Sequence, residues 1–251
     1  MTDKVWVVIP AAGIGKRMQS DIPKQYLKIN NKTVLQHTLD CFSHHSDIEG
    51  IIVVLQADDP YWNTAEINVS NKKFYTVEGG EERSDSVLNA LEYLSLIEQL
   101  PEQTWLMVHD AARPCLQKKD IDALLQIRLN NGVGGILASP VRDTMKRAKS
   151  NSTQISHTEK RADLWHALTP QLFRLGELHE ALKVCLEKEI EVTDEASALE
   201  AQGQSPLLVE GSSSNIKITQ PADLELASWF LSREKKHETK HDVQNEKNTD
   251  V

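Results

Sequence analysis

The sequence has few cysteines, few aromatic residues and no long apolar run. Its three cysteines, Cys41, Cys115 and Cys185, are far apart and form no C-x-x-C pair, which predicts buried thiols in a reduced, cytosolic protein. Five apolar residues precede Pro10, too few for the core of a signal peptide. No run approaches the roughly 20 residues that cross a bilayer. We therefore expect a cytoplasmic protein that has no membrane segment.

Basic residues are also fewer than acidic ones, so the formal net charge is −9 at pH 7. This balance disfavours nonspecific attraction to nucleic acid, so a polyanionic substrate would need local cations that act against the overall field. The apolar fraction of 39% supports a hydrophobic core, and the 251 residues suffice for one large α/β domain or two small ones.

Short apolar runs alternate with segments of helical periodicity along the first 140 residues. This alternation predicts an α/β, Rossmann-like fold with a mainly parallel sheet flanked by helices, in which ligands bind at the carboxyl ends of the strands. The predicted strands are Val5–Ile9, Ile51–Leu55, Phe74–Val77, Trp105–Val108 and Gly134–Ala138, and the predicted helices are Thr33–His45, Ser84–Ile97 and Ile121–Leu129.

Residues 139–165 are polar and interrupt this pattern, so we expect a protruding β-arm over about 139–161. Beyond it we expect a helix over Glu177–Lys188, another that starts in TDEASALE with Thr193 as N-cap, and a helix from Pro221 to about Arg233. Strands are predicted at Pro206–Glu210 and Asn215–Thr219. Residues 1–233 would form a single domain, and the charged residues 234–251 a disordered tail.

A glycine-bearing turn, PAAGIGKRMQSDIPK, spans residues 10–24 and directly follows the first predicted strand. Gly13 and Gly15 permit backbone conformations that a side chain would block, and Ala11 and Ala12 leave the main chain accessible to a large anion. A helix that starts near Gly15 would add its positive N-terminus. The run therefore predicts a phosphate-binding turn.

The turn departs from both common glycine fingerprints. Met18 occupies the third glycine position of a dinucleotide-binding G-x-G-x-x-G, and Arg17 follows Gly15-Lys16 where a Walker loop has Ser or Thr. A plain strand-to-helix turn is the alternative, which the two spaced cations Arg17 and Lys24 disfavour. A nicotinamide-dependent oxidoreductase is disfavoured by Met18.

Charged side chains elsewhere suggest further binding residues. The candidate cations are Arg17, Lys24, Arg83, Arg113, Arg142, Arg161 and Lys217, each of which alone is more often a solvated surface charge. Lys217 lies in the middle of NIKIT, where alternation points it away from the two isoleucines and toward an anionic partner. Asp110 ends an apolar strand, where a carboxylate binds a divalent cation or a substrate hydroxyl, or else caps the next turn.

The order of several motifs is informative as a set. PAAGIGKRM with PKQY is followed by GGEERSDSV, HDAARP, PVRDTMKR, LWHALTPQ, TDEASALE and NIKIT. From about residue 5 to about 230 the chain closely resembles the 2-C-methyl-D-erythritol 4-phosphate cytidylyltransferase family, which acts in non-mevalonate isoprenoid synthesis. The resemblance implies that a phosphate oxygen of methylerythritol phosphate attacks the α-phosphorus of CTP, that pyrophosphate leaves, and that Mg²⁺ accompanies CTP. It assigns no metal ligand.

The resemblance also implies roles for single residues. Catalysis would rest on Arg17, Lys24, Arg161 and Lys217. CTP would be bound by Pro10, Ala11, Ala12, Gly13, Gly15, Lys24, Gly80, Glu81, Ser86 and Ala112. The methylerythritol phosphate would be bound by Asp110, Arg113, Thr144, Arg161, Thr169 and Lys217. The arm would join two subunits of a homodimer, so that Thr144 and Arg161 serve the site of their own chain or of its neighbour.

One residue departs from the family pattern, because Glu81 stands where many relatives have Asp. The longer side chain puts its contact with the base or ribose in question. Two other functions stay open: a related cytidylyltransferase for another polyol phosphate, such as ribitol 5-phosphate, and a nucleotide-dependent regulatory protein without turnover. The complete set of Thr144, Arg161 and Lys217 favours methylerythritol phosphate, and the presence of Lys24 and Arg17 disfavours a protein without turnover.

Overall fold

The computed structural model describes residues 4–13, 18, 20–69, 71–130 and 132–233. The strands are β1 (Val5–Pro10), β2 (Lys28–Ile29), β3 (Lys32–Thr33), β4 (Ile48–Leu55), β5 (Lys73–Glu78), β6 (Trp105–Val108), β7 (Gly134–Pro140), β8 (Lys146–Ala148), β9 (Ile155–Thr158), β10 (Trp165–Arg174) and β11 (Leu207–Glu210). The helices are α1 (Val34–Ser43), α2 (Arg83–Leu96), α3 (Lys118–Leu125), α4 (Leu175–Glu187), α5 (Glu195–Glu200) and α6 over residues 221–233.

Seven strands form one sheet in the order β11-β7-β10-β6-β1-β4-β5. All neighbouring strands are parallel except β10, which runs antiparallel to both β6 and β7. The expected mainly parallel α/β sheet is confirmed. Strand β10 was missed by the sequence pattern, because its first half is exposed, Pro170 interrupts it, and its register shifts between Ala167 and Gln171.

Both faces of the sheet are buried, which explains the nearly continuous apolar runs of its strands. Residues of β1 alternate between the two layers: Val5, Val7 and Ile9 pack with α1 and α3, whereas Trp6 and Val8 pack with α2, α4 and α5. A smaller third cluster lies under α6 and includes Ile218 and Ala227. Cys115 and Cys185 are buried in these layers as expected, and Cys41 is half-buried.

Helix starts follow local capping chemistry. Thr33, the first residue of the predicted helix, is the cap of α1, since its side chain accepts a hydrogen bond from the Gln36 N–H. The cap of α5 is Asp194 rather than the predicted Thr193. The Asp194 carboxylate accepts from the Ser197 N–H, and the Ser197 hydroxyl accepts from the Asp194 N–H, which completes a capping box one residue later.

Residues 215–219 are extended but form no strand, contrary to the sequence prediction. No strand among the described residues pairs with this segment. Single hydrogen bonds hold it instead: the Ile218 N–H donates to the Ala112 carbonyl, and Arg113 Nη1 donates to the Asn215 carbonyl. The apolar alternation of NIKIT reflects burial of Ile218 under α6.

The polar insertion between β7 and β10 forms the predicted arm. Strands β8 and β9 pair as an antiparallel hairpin, and every residue from 142 to 158 is exposed. Trp165 pairs with Pro140 where the arm joins the sheet. Among the described residues no helix has the length and apolar character needed to cross a membrane.

Gly134, the first residue of β7, provides a test of this sheet. Its φ is +118°, and a Cβ atom there would lie 2.2 Å from the Leu172 carbonyl oxygen of β10. We expect Gly134→Ala to lower the free energy of unfolding in urea by about 2–4 kcal/mol through strain and overpacking. Gly211→Ala, just beyond the neighbouring strand β11, is the control, since its Cβ would meet Leu137 at an ordinary 3.5 Å. Equal losses in the two variants would contradict the packing argument.

Candidate active site

A pocket of about 190 Å³ opens at the carboxyl ends of the parallel strands. This is the edge at which α/β sheets bind ligands, because the strands end there and loops and helix N-termini converge. The lining residues are Pro10, Ala11, Ala12, Gly13, Lys24, Gln25, Gly80, Glu81, Glu82, Arg83, Ser86, Asp110, Ala111, Ala112 and Lys217.

Nearly the whole expected CTP-binding set lines this pocket. The set comes from four separate stretches of chain: residues 10–13, Lys24, residues 80–86 and Ala112. Gly15 and Arg17 lie outside the described residues. Of the expected substrate-binding residues, Asp110 and Lys217 reach the same pocket. The sequence motifs therefore converge in space, although they are as many as about 200 residues apart.

Gln25 stabilises the glycine-bearing turn and was missed by the sequence argument. Its buried side-chain amide donates to the carbonyls of Ala11, at 2.7 Å, and Gly13, at 3.2 Å. The adjacent Lys24 points its ammonium at the Ile218 carbonyl, 3.0 Å away. The sequence shows a polar residue next to a candidate cation, which could have drawn attention to Gln25. Its partners, however, are backbone carbonyls, which no sequence motif identifies.

Glycines allow the opposite wall to approach the turn. A Cβ on Gly80 would lie 2.3 Å from Cβ of Asp85, and one on Gly79 would lie 2.8 Å from Cβ of Ala12. The Gly80 N–H donates to Ser86 Oγ at 3.2 Å, at the start of α2. A larger residue at 79 would push the two walls of the pocket apart, and one at 80 would clash with Asp85 of its own wall.

Asp110 lies at the base of the pocket and contacts three cations. Its Oδ2 is 2.9 Å from Lys217 Nζ and 3.2 Å from Arg113 Nε, and its Oδ1 is 3.4 Å from Arg83 Nε. Burial alone would raise the pKa of Asp110, but the charges of Arg83, Lys217 and Arg113 outweigh it and hold the pKa well below its usual range. The carboxylate is therefore ionised and charge-compensated.

Arg83 is fixed by a second carboxylate. Its Nη1 is 2.5 Å from Oε1 and its Nη2 3.1 Å from Oε2 of Glu195, which is buried at the first turn of α5. The sequence identified Arg83 as one cation among several and placed Glu195 in the helix that starts in TDEASALE. Their pairing depends on how α2 and α5 pack, which the sequence does not specify.

Behind Asp110, His109 is buried and hydrogen-bonded at both ring nitrogens. Nε2 lies 3.1 Å from the Arg113 carbonyl, and Nδ1 lies 3.0 Å from Thr169 Oγ1. Because a carbonyl accepts and never donates, Nε2 carries the proton and Nδ1 accepts from the Thr169 hydroxyl. Burial lowers the pKa of His109 from the usual 6.5 to about 4, so the ring is neutral at pH 7.

Thr169 and Arg113 are tied to the segment that carries Lys217. The Asp110 N–H donates to Thr169 Oγ1, and Asn215 Nδ2 donates to the Thr169 carbonyl at 2.8 Å. Arg113 Nη1 donates to the Asn215 carbonyl, also at 2.8 Å. Thr169 and Arg113 are thus buried behind the pocket, where they support Asp110, instead of lining it. Asn215 was missed by the sequence argument.

Known proteins are similar to this chain in sequence. The model of a family described as 2-C-methyl-D-erythritol 4-phosphate cytidylyltransferase matches residues 5–233. The chain belongs to this family. A family member of Vibrio atlanticus is 53% identical over 92% of this chain and 97% of its own, and one of Pseudomonas putida W619 is 51% identical over 91% and 94%. Both carry the name of the family.

Solved structures of the same cytidylyltransferase family agree in fold. The crystal structure of the Francisella tularensis enzyme has a TM-score of 0.77 and 41% identity, covering 90% of this chain and 99% of its own. That of the Thermus thermophilus enzyme has a TM-score of 0.71 and 28% identity, covering 92% and 99%.

Two expected site residues of this cytidylyltransferase lie on the arm. Thr144 and Arg161 are exposed, and neither lines the pocket of its own chain. Arg161 Nη1 donates to the Arg142 carbonyl across the base of the arm. Within the described residues, the arm and the pocket of one chain therefore form separate surfaces.

The described residues do not build a cage for a divalent cation. Among them no group of three or more His, Cys, Asp or Glu side chains converges. Mg²⁺ prefers carboxylate and phosphate oxygens, and Asp110 already bonds to three cations that would repel it. The carboxylate that the sequence suggested as a metal ligand is thus engaged otherwise.

The buried His109 predicts a specific acid dependence of stability. The unfolded chain binds a proton at about pH 6.5 that the folded chain excludes until about pH 4, so the free energy of unfolding falls as the pH drops through this window. The contribution is on the order of 3 kcal/mol. We expect His109→Gln to flatten this part of the pH profile in urea unfolding, whereas the exposed His44→Gln does not. An unchanged slope in His109→Gln would contradict the argument.

Proposed function

We infer that the chain transfers the cytidylyl group of CTP to 2-C-methyl-D-erythritol 4-phosphate, which gives 4-diphosphocytidyl-2-C-methyl-D-erythritol and pyrophosphate. This is a step in the synthesis of isoprenoid precursors by the non-mevalonate pathway. The observation that carries the inference is the convergence of the turn at residues 10–13, Lys24, Asp110 and Lys217 in one pocket. Relatives of about half-identical sequence along nearly the whole chain bear the corresponding enzyme name.

The chemistry requires positioning more than proton transfer. The attacking group is a phosphate monoester whose second pKa is about 6, so it is largely dianionic at neutral pH and needs no general base. His109, the buried imidazole nearest the pocket, already bonds to Thr169 and Arg113. The remaining difficulty is repulsion between a dianion and a triphosphate. Bringing the two together and stabilising the charge at the α-phosphate then supplies most of the rate enhancement.

A few cations in the pocket can supply an electrostatic stabilisation of the size that the reaction needs. At an effective dielectric constant near 20, two unit charges 4 Å apart interact by about 4 kcal/mol before desolvation. Lys24 and Lys217 both line the pocket. We assign Arg17 and Lys24 to the triphosphate and the transition state. A divalent cation, for which Mg²⁺ is our expectation, would accompany the CTP phosphates.

The two substrates would occupy opposite ends of the pocket. The wall formed by residues 10–13, Gly80, Glu81, Ser86 and Ala112 would hold CTP, and we assign Gly15 to the same substrate. The base formed by Asp110 and Lys217, supported by Arg113 and Thr169, would hold the methylerythritol phosphate. Glu81 lines the pocket, in keeping with a contact to the base or ribose despite its extra methylene.

We further propose that two chains complete each site. The arm is exposed from residue 142 to 158, and Met145, Ile155 and Trp165 present apolar surface there. Thr144 and Arg161 lie on this arm away from their own pocket, so an arm that reaches a second chain would bring them to the neighbouring site. In this arrangement residues 1–233 act as one nucleotidyltransferase domain with an arm. Its expected cytoplasmic location remains a prediction.

Pyrophosphate release tests the function. We expect turnover with CTP and methylerythritol phosphate, and at least 100-fold lower kcat/KM with ATP, with UTP or with ribitol 5-phosphate. A coupled pyrophosphate assay over a matrix of four nucleotides and several polyol phosphates measures this. Preference for ribitol 5-phosphate would favour the related cytidylyltransferase, and nucleotide binding without release would favour a regulatory protein.

Substitutions of the two pocket lysines should affect different kinetic parameters. Lys24→Ala should reduce kcat by about 100-fold or more while changing CTP affinity little, since its charge acts mainly on the transition state. Lys217→Ala should chiefly raise KM for the polyol phosphate. Steady-state kinetics with each substrate varied in turn distinguishes these effects, with the exposed Lys183→Ala as control. Equal losses of CTP affinity and turnover in Lys24→Ala would refute its assignment.

A further inference from the structure

Buried Glu195 and half-buried Arg83 form an ion pair that has no role in the proposed reaction. Glu195 is the first residue of α5 and its side chain is 1% exposed, whereas Arg83 is the first residue of α2 and its side chain is 32% exposed. Both Nη atoms of Arg83 bond to the two carboxylate oxygens of Glu195. Such a two-point contact fixes the plane of a guanidinium as well as its position.

The third nitrogen of Arg83 faces the site. Its Nε is 3.4 Å from Oδ1 of Asp110, and the Oδ2 atom of Asp110 holds Arg113 and Lys217. Arg83 lines the pocket, whereas Glu195 lies behind it. The guanidinium thus connects a carboxylate outside the pocket to the carboxylate at its base.

Hydrogen bonds to β10 hold the residues on either side of Glu195 in place. The neighbouring Ala196 N–H donates to Oε1 of Gln171, and Nε2 of Gln171 donates to the Asp194 carboxylate. Gln171 is 1% exposed and lies in β10, opposite Val108 of β6. These contacts hold β6, which leads to Asp110, and the helix that carries Glu195 in a fixed relative position.

We propose that Glu195 is a positioning residue for the polyol-phosphate end of the site and acts through Arg83 on Asp110. With Glu195 in place, both Nη atoms of Arg83 (the Nη fork) bond to Glu195, and only its Nε faces Asp110. Asp110 then keeps one oxygen for Arg113 and Lys217. This inference rests on the proposed function, because it assigns Lys217 to the incoming phosphate.

Loss of the Glu195 charge has a defined consequence. A half-buried guanidinium that loses this partner would turn to another carboxylate, and Asp110 already lies 3.4 Å from its Nε. The Nη fork would turn onto Asp110 and rotate its carboxylate away from Arg113 and Lys217. Lys217 would then lose its fixed place, so the polyol phosphate would bind less well while the CTP wall stays intact.

Steady-state kinetics of Glu195→Gln tests this proposal. We expect KM for methylerythritol phosphate to rise about tenfold, with KM for CTP within twofold of the parent value. Glu195→Asp retains the charge but shortens the side chain. Its KM for methylerythritol phosphate should lie between those of the parent enzyme and of Glu195→Gln. Glu200→Gln on the exposed face of the same helix is the control and should match the parent enzyme.

A double-substitution cycle separates this role from a merely structural one. In an Arg83→Gln background there is no fork to turn, so adding Glu195→Gln should change KM for the polyol phosphate by less than twofold. The double variant lacks both members of the ion pair, so neither charge is left without its partner. It can still be compared with Arg83→Gln if Glu195→Gln alone unfolds. Equal effects on both substrates, or additive effects in the cycle, would overturn the proposal. Absent turnover in the parent enzyme would instead refute the proposed function.

Discussion

The carboxylate of Asp110 is the interaction on which the arrangement of the site depends. It ends a buried strand and bonds to side chains from the start of α2, from the turn that follows β6 and from the segment before α6. A single buried charge would be costly, but three surrounding cations compensate it and leave the cluster ready to receive an anion. The same contacts bring Lys217 to the pocket from about 100 residues away.

A network of hydrogen bonds behind Asp110 keeps this charge in place. Hydrogen bonds link His109, Thr169, Asn215 and Arg113 to one another, and each belongs to a segment that borders the pocket. Buried polar groups of this kind are stabilising when all their partners are present. The antiparallel insertion of β10 between β6 and β7 makes the network possible, since it places Thr169 beside the end of β6.

Sequence reasoning succeeded where the signal is local. The strands β1, β4, β5, β6 and β7 and the helices α1, α2 and α4 were predicted because apolar periodicity within a dozen residues identifies them. It failed for β10, where exposure and Pro170 conceal the pattern, and at 215–219, where the alternation of NIKIT reflects packing under α6. The cap of α5 was misplaced by one residue because Thr193 and Asp194 both suit that position.

The sequence by itself determined the reaction class and the family, since the order of its motifs and the chemistry of Lys24, Asp110 and Lys217 can be identified without coordinates. Tertiary structure alone decided which charges meet. It placed Arg83 between Glu195 and Asp110, and it turned Arg113 and Thr169 into supports behind the pocket. The physical reason is that periodicity and turn chemistry act within a segment, whereas an ion pair or a buried hydrogen bond depends on how distant segments pack.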